Sequence, residues 1–188
     1  MMIKQYSILA GYDVKKAAQV AAFFAIEAGG KINILKLTKL MYLADRDHLE
    51  QYDYPILFDK IVSMPHGPVN SLTYNYSSGG LEDDFWNYYI TDRDMHDLGV
   101  TKKFNIDELD QLSDAEVQVM KLIWTKFGHM NQFELVDYTH KYCKEWNDPN
   151  GSSEPISYET VFKFLGKDDS AMLSRAIEEE RLLKRAWA

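Results

Sequence analysis

The groups in this sequence that could do chemistry are few, and their spacing counts against most reactions. There is one cysteine, Cys143, three residues after His140. A cysteine nucleophile needs a base held within hydrogen-bond reach, and adjacency in sequence supplies no such geometry. The five histidines are His48, His66, His96, His129 and His140, and none forms an HExxH or a CxxC-type pair, so no metal site is expected. Asp45 and His48 stand three apart and could present two ligands from one helix face; they read instead as a hydrogen-bonded pair at a helix end. Asp45, Asp47, Glu50 and Asp53 do not follow the EF-hand spacing and read as a solvated face.

The glycine-bearing loops, Gly29-Gly30, Gly79-Gly80 and Pro65-His66-Gly67-Pro68, match neither GxGxxG nor GxxxxGK[ST], so no phosphate cradle is expected. No Gly-x-Ser-x-Gly elbow occurs, and the carboxylates lack a context that would raise the pKa of one partner of a pair. A protein with no catalytic centre, no cofactor and no metal is the expectation.

The chain that must carry these residues has 188 positions, is 46% hydrophobic and 13% aromatic, and bears a formal net charge of -8. That length can bury an aromatic-rich core without disulfides. A lone cysteine suits a reducing compartment. No apolar run approaches the roughly 20 residues of a membrane span, and Met1 to Gly11 does not read as a signal peptide. A soluble cytoplasmic protein, without membrane contact, is expected. The acidic balance disfavours nucleic acid, whose affinity comes largely from neutralised phosphates. Lys15, Lys16, Lys31, Lys36 and Lys39 form the one candidate basic stripe near the front. Acidic charge suits a basic protein partner.

Helical spacing and capping residues predict a mainly α fold, one compact domain over 1–188 with about six to seven helices. Asp13 can cap a helix to about Ala28, closed by Gly29-Gly30. Asn33 can cap a second, Ile34 to Glu50, with Leu37, Leu40, Met41 and Ala44 as its buried stripe and Lys36 and Lys39 off it. A small hairpin or extended segment is expected between 56 and 105. Pro68 suits the first position of a third helix, to about Ser77. A hairpin around Gly99 fits His96 to Phe104. Ser113-x-x-Glu116 opens a helix to Phe127, Asn131-x-x-Glu134 the next, Ser157 another, and Asp169 the last, spanning 169–188. No repeat or linker divides the chain.

Two stretches carry a resemblance. Lys36-Leu37-x-Lys39-Leu40-x-Tyr42-x-Ala44-Asp45-x-x-His48-Leu49 is followed by Met64-Pro65-His66-Gly67-Pro68-Val69, with Ser71 and Tyr74 beyond. In this order they resemble the signatures of the Panacea domain of SocA-like antitoxins. The Leu112-Ser113-x-x-Glu116 helix start, Leu135, Thr139-His140 and Trp146 resemble a third part, so the likeness covers about Val14 to Leu165. Asp47 stands where many members have Trp, and Met64 and His66 follow a variant of the commoner Trp-x-x-Gly-Pro-Val.

The resemblance implies an antitoxin that neutralises a cognate toxin by direct binding, in phage-associated loci. A proteolytic adaptor that delivers its toxin to a protease, or a DNA-binding autoregulator, is the alternative. It also implies that the signature residues are mostly scaffold: Leu37, Leu40 and Ala44 in the core, Gly67 at a position closed to larger residues, His66 bonded to backbone or to Asp45, His140 and Trp146 in packing. Val69 and Tyr42 belong to the same signatures. Toxin contacts would then lie on residues 81–105 and the last helix, with Trp86, Tyr88, Tyr89 and Trp187 as candidate anchors.

Overall fold

The computed structural model describes residues 11–186. Eight α-helices and two small antiparallel sheets make up its regular structure, a mainly α fold. Helix α1 (Val14–Glu27) starts where the Asp13 carboxylate accepts from the Lys16 amide at 3.1 Å. It is buried on every face from Ala17 to Ala25, because its alanines let neighbouring backbones approach closely. Gly29 and Gly30 end it, and β1 (Lys31–Asn33) leads into α2 (Ile34–Tyr52), whose N-cap Asn33 accepts from Leu35 and Lys36 amides. Helices α1 and α2 form the centre of the core.

A hairpin follows. Strand β2 (Ile61–Met64) pairs with β3 (Gly67–Asn70), with Met64 opposite Gly67, so Pro65 and His66 are the two-residue turn. Strand β5 (Glu154–Ile156) adds to the far side of β2. The expected helix start at Pro68 is therefore corrected: Pro68 lies in β3 opposite Ser63, and α3 (Ser71–Ser77) begins three residues later. The physical reason is that β3 is an edge strand of the order β3-β2-β5, where a residue without an N–H is tolerated as well as at a helix start.

Helix α4 (Asp84–Tyr89) precedes β4 (Asp97–Gly99), which pairs with β1 in the second sheet. No hairpin turns at Gly99; the chain reverses at Asp94–Asp97, through Met95 at φ 55°, and Gly99 lies inside the strand. Gly99 is needed there because a Cβ would stand 2.8 Å from the Gly30 carbonyl. After one 3-10 turn (Ile106–Glu108) come α5 (Asp114–Phe127) and α6 (Gln132–Tyr142), both opened by capping boxes, which pack on α2. Helices α7 (Tyr158–Phe164) and α8 (Ser170–Ala186) pack on each other. No helix among the described residues is long and apolar enough to cross a membrane.

Candidate functional site

Helix α2 carries most of the signature residues. Leu37, Leu40, Met41, Tyr42 and Ala44 are buried as expected, but so is Lys39, at 0% exposure. The expectation that Lys39 lies off the buried stripe is thus corrected. Strand β3 and helix α6 close over the helix face that sequence spacing leaves polar. The Lys39 ammonium donates to the Pro68 carbonyl at 2.8 Å, and burial pushes its pKa from 10.5 down to about 7. Gly67 makes this junction fit. Its φ is +99°, and a Cβ there would stand 2.6 Å from Thr139 Oγ1 and 3.2 Å from Lys39 Nζ. Lys36 ties α2 to the α5–α6 turn, donating to the Gly128 carbonyl at 2.6 Å with its ammonium over the Trp124 ring.

Asp45 is a buried fastening point. Its carboxylate accepts from the Ile56 and Leu57 amides at 2.6 and 3.0 Å and from Asn70 Nδ2 at 3.0 Å. Burial raises its pKa, against the pull of those donors. It is therefore no part of a solvated acidic face. His48 turns instead to the Tyr54 carbonyl, so Asp45 and His48 form no hydrogen-bonded pair. His66 does not reach Asp45 either. It sits exposed at the tip of the β2–β3 turn, and Asn70 takes the place expected for it. Trp146 Nε1 donates to the Met64 carbonyl at 2.9 Å while the His140 ring stacks on the indole at 3.8 Å.

Sequence reasoning missed a second polar node: Tyr42 donates to the buried Glu145 carboxylate, and Arg46 Nε donates to the same group at 2.6 Å. The pairing spans about a hundred positions, and no local pattern signals it. Nearby Cys143 is buried, and its thiol is pushed up to about 12 by desolvation. It is a packing residue, poorly suited to nucleophilic work. Among the described residues no group of His, Cys, Asp and Glu could hold a metal ion.

The basic stripe is taken up by the fold. Lys15 pairs with Asp110 at 2.8 Å, Lys16 with Glu116 at 2.6 Å and Lys31 with Asp94 at 3.1 Å, while Lys36 and Lys39 serve carbonyls.

Two of the expected surface anchors are core residues. Trp86 is 3% exposed and stacks on Tyr76, and Tyr89, 4% exposed, accepts from Gln19 Nε2 at 2.8 Å. Helix α4 turns those faces inward onto α1 and α3, and leaves Phe85 and Tyr88 outside at 58% and 56% exposure. Trp187 lies outside the described residues.

Between the α2 N-terminus, the β2–β3 turn and the start of α6 lies a cleft of about 360 Å³. Lys39, Pro65, His66 and Val69 of the signatures contribute to its walls, with Arg93 and His96 from the β4 approach and Phe133 from α6.

A family model described as "Antitoxin SocA-like, Panacea domain" matches residues 37–147, from α2 to just past Trp146. No curated protein and no solved structure matches the chain. The matched segment holds the Lys39–Pro68 junction, the Asp45 node and the Trp146–Met64 bond, the contacts that join α2, the hairpin and α6 into one body. The chain belongs to the SocA-like antitoxin, Panacea domain family.

Proposed function

We propose that the protein is the antitoxin of a toxin–antitoxin pair, acting in the cytoplasm as one Panacea-type unit that neutralises its cognate toxin by direct binding and without catalysis. The family match over residues 37–147 is the observation that carries this reading. The chemistry of the signature residues supports it. Lys39, Asp45, Gly67 and Trp146 are occupied with internal bonds and close packing, the work of a scaffold. Recognition is then left to outward residues. Phe85 and Tyr88 stand exposed three positions apart on α4, within the stretch outside the signature motifs, and offer aromatic anchors of the kind that dominate interfaces. The net charge of -8 favours a basic toxin surface.

The test is co-expression with the product of the adjacent reading frame. Expected is a toxic neighbour, growth restored by this chain, and a complex that co-purifies. The exposed pair then serves as the specificity check: Phe85→Asp with Tyr88→Asp should abolish rescue while the purified variant keeps its helical circular dichroism and melting temperature. A neighbour that is harmless alone, or toxicity that this chain never relieves, overturns the reading.

A further inference from the structure

The cleft has a charge character opposite to that of the whole chain. In a protein of net charge -8, the ionisable residues lining it are Lys39, His66, Arg93 and His96 with the Tyr74 phenol, and among the described residues no Asp or Glu lines it. The remaining wall is largely apolar, with Ile34, Leu35 and Val69 inside and Phe133, 65% exposed, among the liners. Its volume of about 360 Å³ falls within the range of about 300–1,000 Å³ common to small-molecule sites.

The donors available to a ligand are side chains. At the adjoining helix N-terminus, the Ile34 amide already donates to the His96 carbonyl at 2.8 Å, and Asn33 takes the Leu35 and Lys36 amides. Lys39 is closed off: it is fully buried and gives its ammonium to the Pro68 carbonyl, so it backs the cleft wall without reaching a ligand. Arg93 commits Nε to the Met95 carbonyl, which leaves its terminal nitrogens. A nucleotide phosphate is ordinarily cradled by a series of backbone N–H groups, and these are spent. A planar carboxylate needs only one or two charged donors.

We propose that this cleft binds an organic carboxylate carried on an apolar body about the size of one aromatic ring. The carboxylate sits among the exposed Arg93, His66 and His96, and the apolar body lies against Val69 and Phe133. The ligand is either a free small acid or a carboxylate side chain presented by the toxin, and the chemistry recognised is the same. The site stands apart from the antitoxin reading: a carboxylate can bind here whether or not a toxin does.

Hydrocinnamate is a suitable probe, with its neutral isostere hydrocinnamamide as the control, titrated into the full chain and followed by amide-proton NMR. Expected is a Kd of about 1 mM, with shifts concentrated at residues 33–39, 64–69, 93–96 and 132–133. Loss of a charged hydrogen bond should weaken binding about tenfold for the amide and several-fold for the exposed Arg93→Gln and His96→Gln. Displacement of a co-purified toxin by hydrocinnamate would assign the carboxylate to the partner, and a ternary complex would assign it to a free ligand; both support the site. Equal binding of acid and amide, shifts scattered away from the cleft, or wild-type affinity in both variants would overturn it.

Discussion

Replacing Lys39 by methionine should make the protein more stable, which is an unusual outcome for a fully buried residue of a family signature. The folded state holds the Lys39 pKa at about 7 against 10.5 in an unfolded chain, and at about 1.36 kcal/mol per pH unit the buried ammonium costs the fold about 4 to 5 kcal/mol at and below neutrality. Methionine fills a similar volume without a charge. Against that gain stands the Pro68 carbonyl, which loses its 2.8 Å donor, at a cost of about 1–3 kcal/mol. The net expectation is a gain of about 2 kcal/mol at pH 7, or roughly 4–8 °C in melting temperature for a chain of this size.

The sign with pH follows from proton binding. The unfolded chain holds the Lys39 proton more tightly than the fold does, so wild-type stability gains from this group as pH rises from about 7 towards 10.5. The thiol of Cys143, pushed up to about 12, acts in the opposite direction above its unfolded value of 9.0. It is present in both chains, so the difference between their urea-unfolding free energies isolates the lysine. That difference should shrink steadily from pH 7 and reverse at about pH 9 as the lost carbonyl partner dominates. A variant less stable than wild type at pH 7, or a difference that stays flat across this range, would refute the burial argument.

Other perturbations read other parts of the structure. Gly67→Ala forces a Cβ to within 2.6 Å of Thr139 Oγ1 at φ +99° and should cost more than about 2 kcal/mol in urea unfolding. Gly79→Ala, at φ +78° with nothing within 4 Å, should cost only about 1 kcal/mol; equal losses would remove the case for a steric junction. Arg181 reaches from α8 to the Phe58 and Asp59 carbonyls, both at 2.9 Å, so Arg181→Ala should cost about 2–4 kcal/mol and speed amide exchange in α8 and the 56–60 loop. Cys143 should resist a thiol reagent at pH 8 in the native state and react promptly in urea, because its thiol is buried and its pKa raised to about 12. Rapid native labelling would contradict that placement.

Elements governed by local chemistry could be read from sequence. Asn33, Ser113, Asn131 and Ser157 each cap the helix that their position predicts, because a cap and its first turn lie within four residues. Contacts made across the chain could not. A lysine off the apolar stripe of a helix reads as solvated, and only closure by β3 and α6 buries Lys39. Pro68 satisfies a helix start and an edge strand equally well, and the pairing of Met64 with Gly67 decides between them. Trp86 and Tyr89 read as candidate anchors for a partner because they lie outside the signature motifs. Their partners, Tyr76 and Gln19, come from helices that the sequence does not place beside them. The cleft gathers residues from α2, the hairpin turn, the β4 approach and α6, so its one-signed lining becomes visible only once those elements are assembled.

Growth of cells carrying the adjacent toxin gene, with this chain supplied as wild type, as Phe85→Asp/Tyr88→Asp, or not at all, is the most direct measurement. Neutralisation through a protein surface requires arrest without the chain, recovery with the wild type, and arrest again with the folded double variant alongside loss of the co-purified complex. Recovery that persists with no complex detectable, or no recovery under any level of expression, would contradict it.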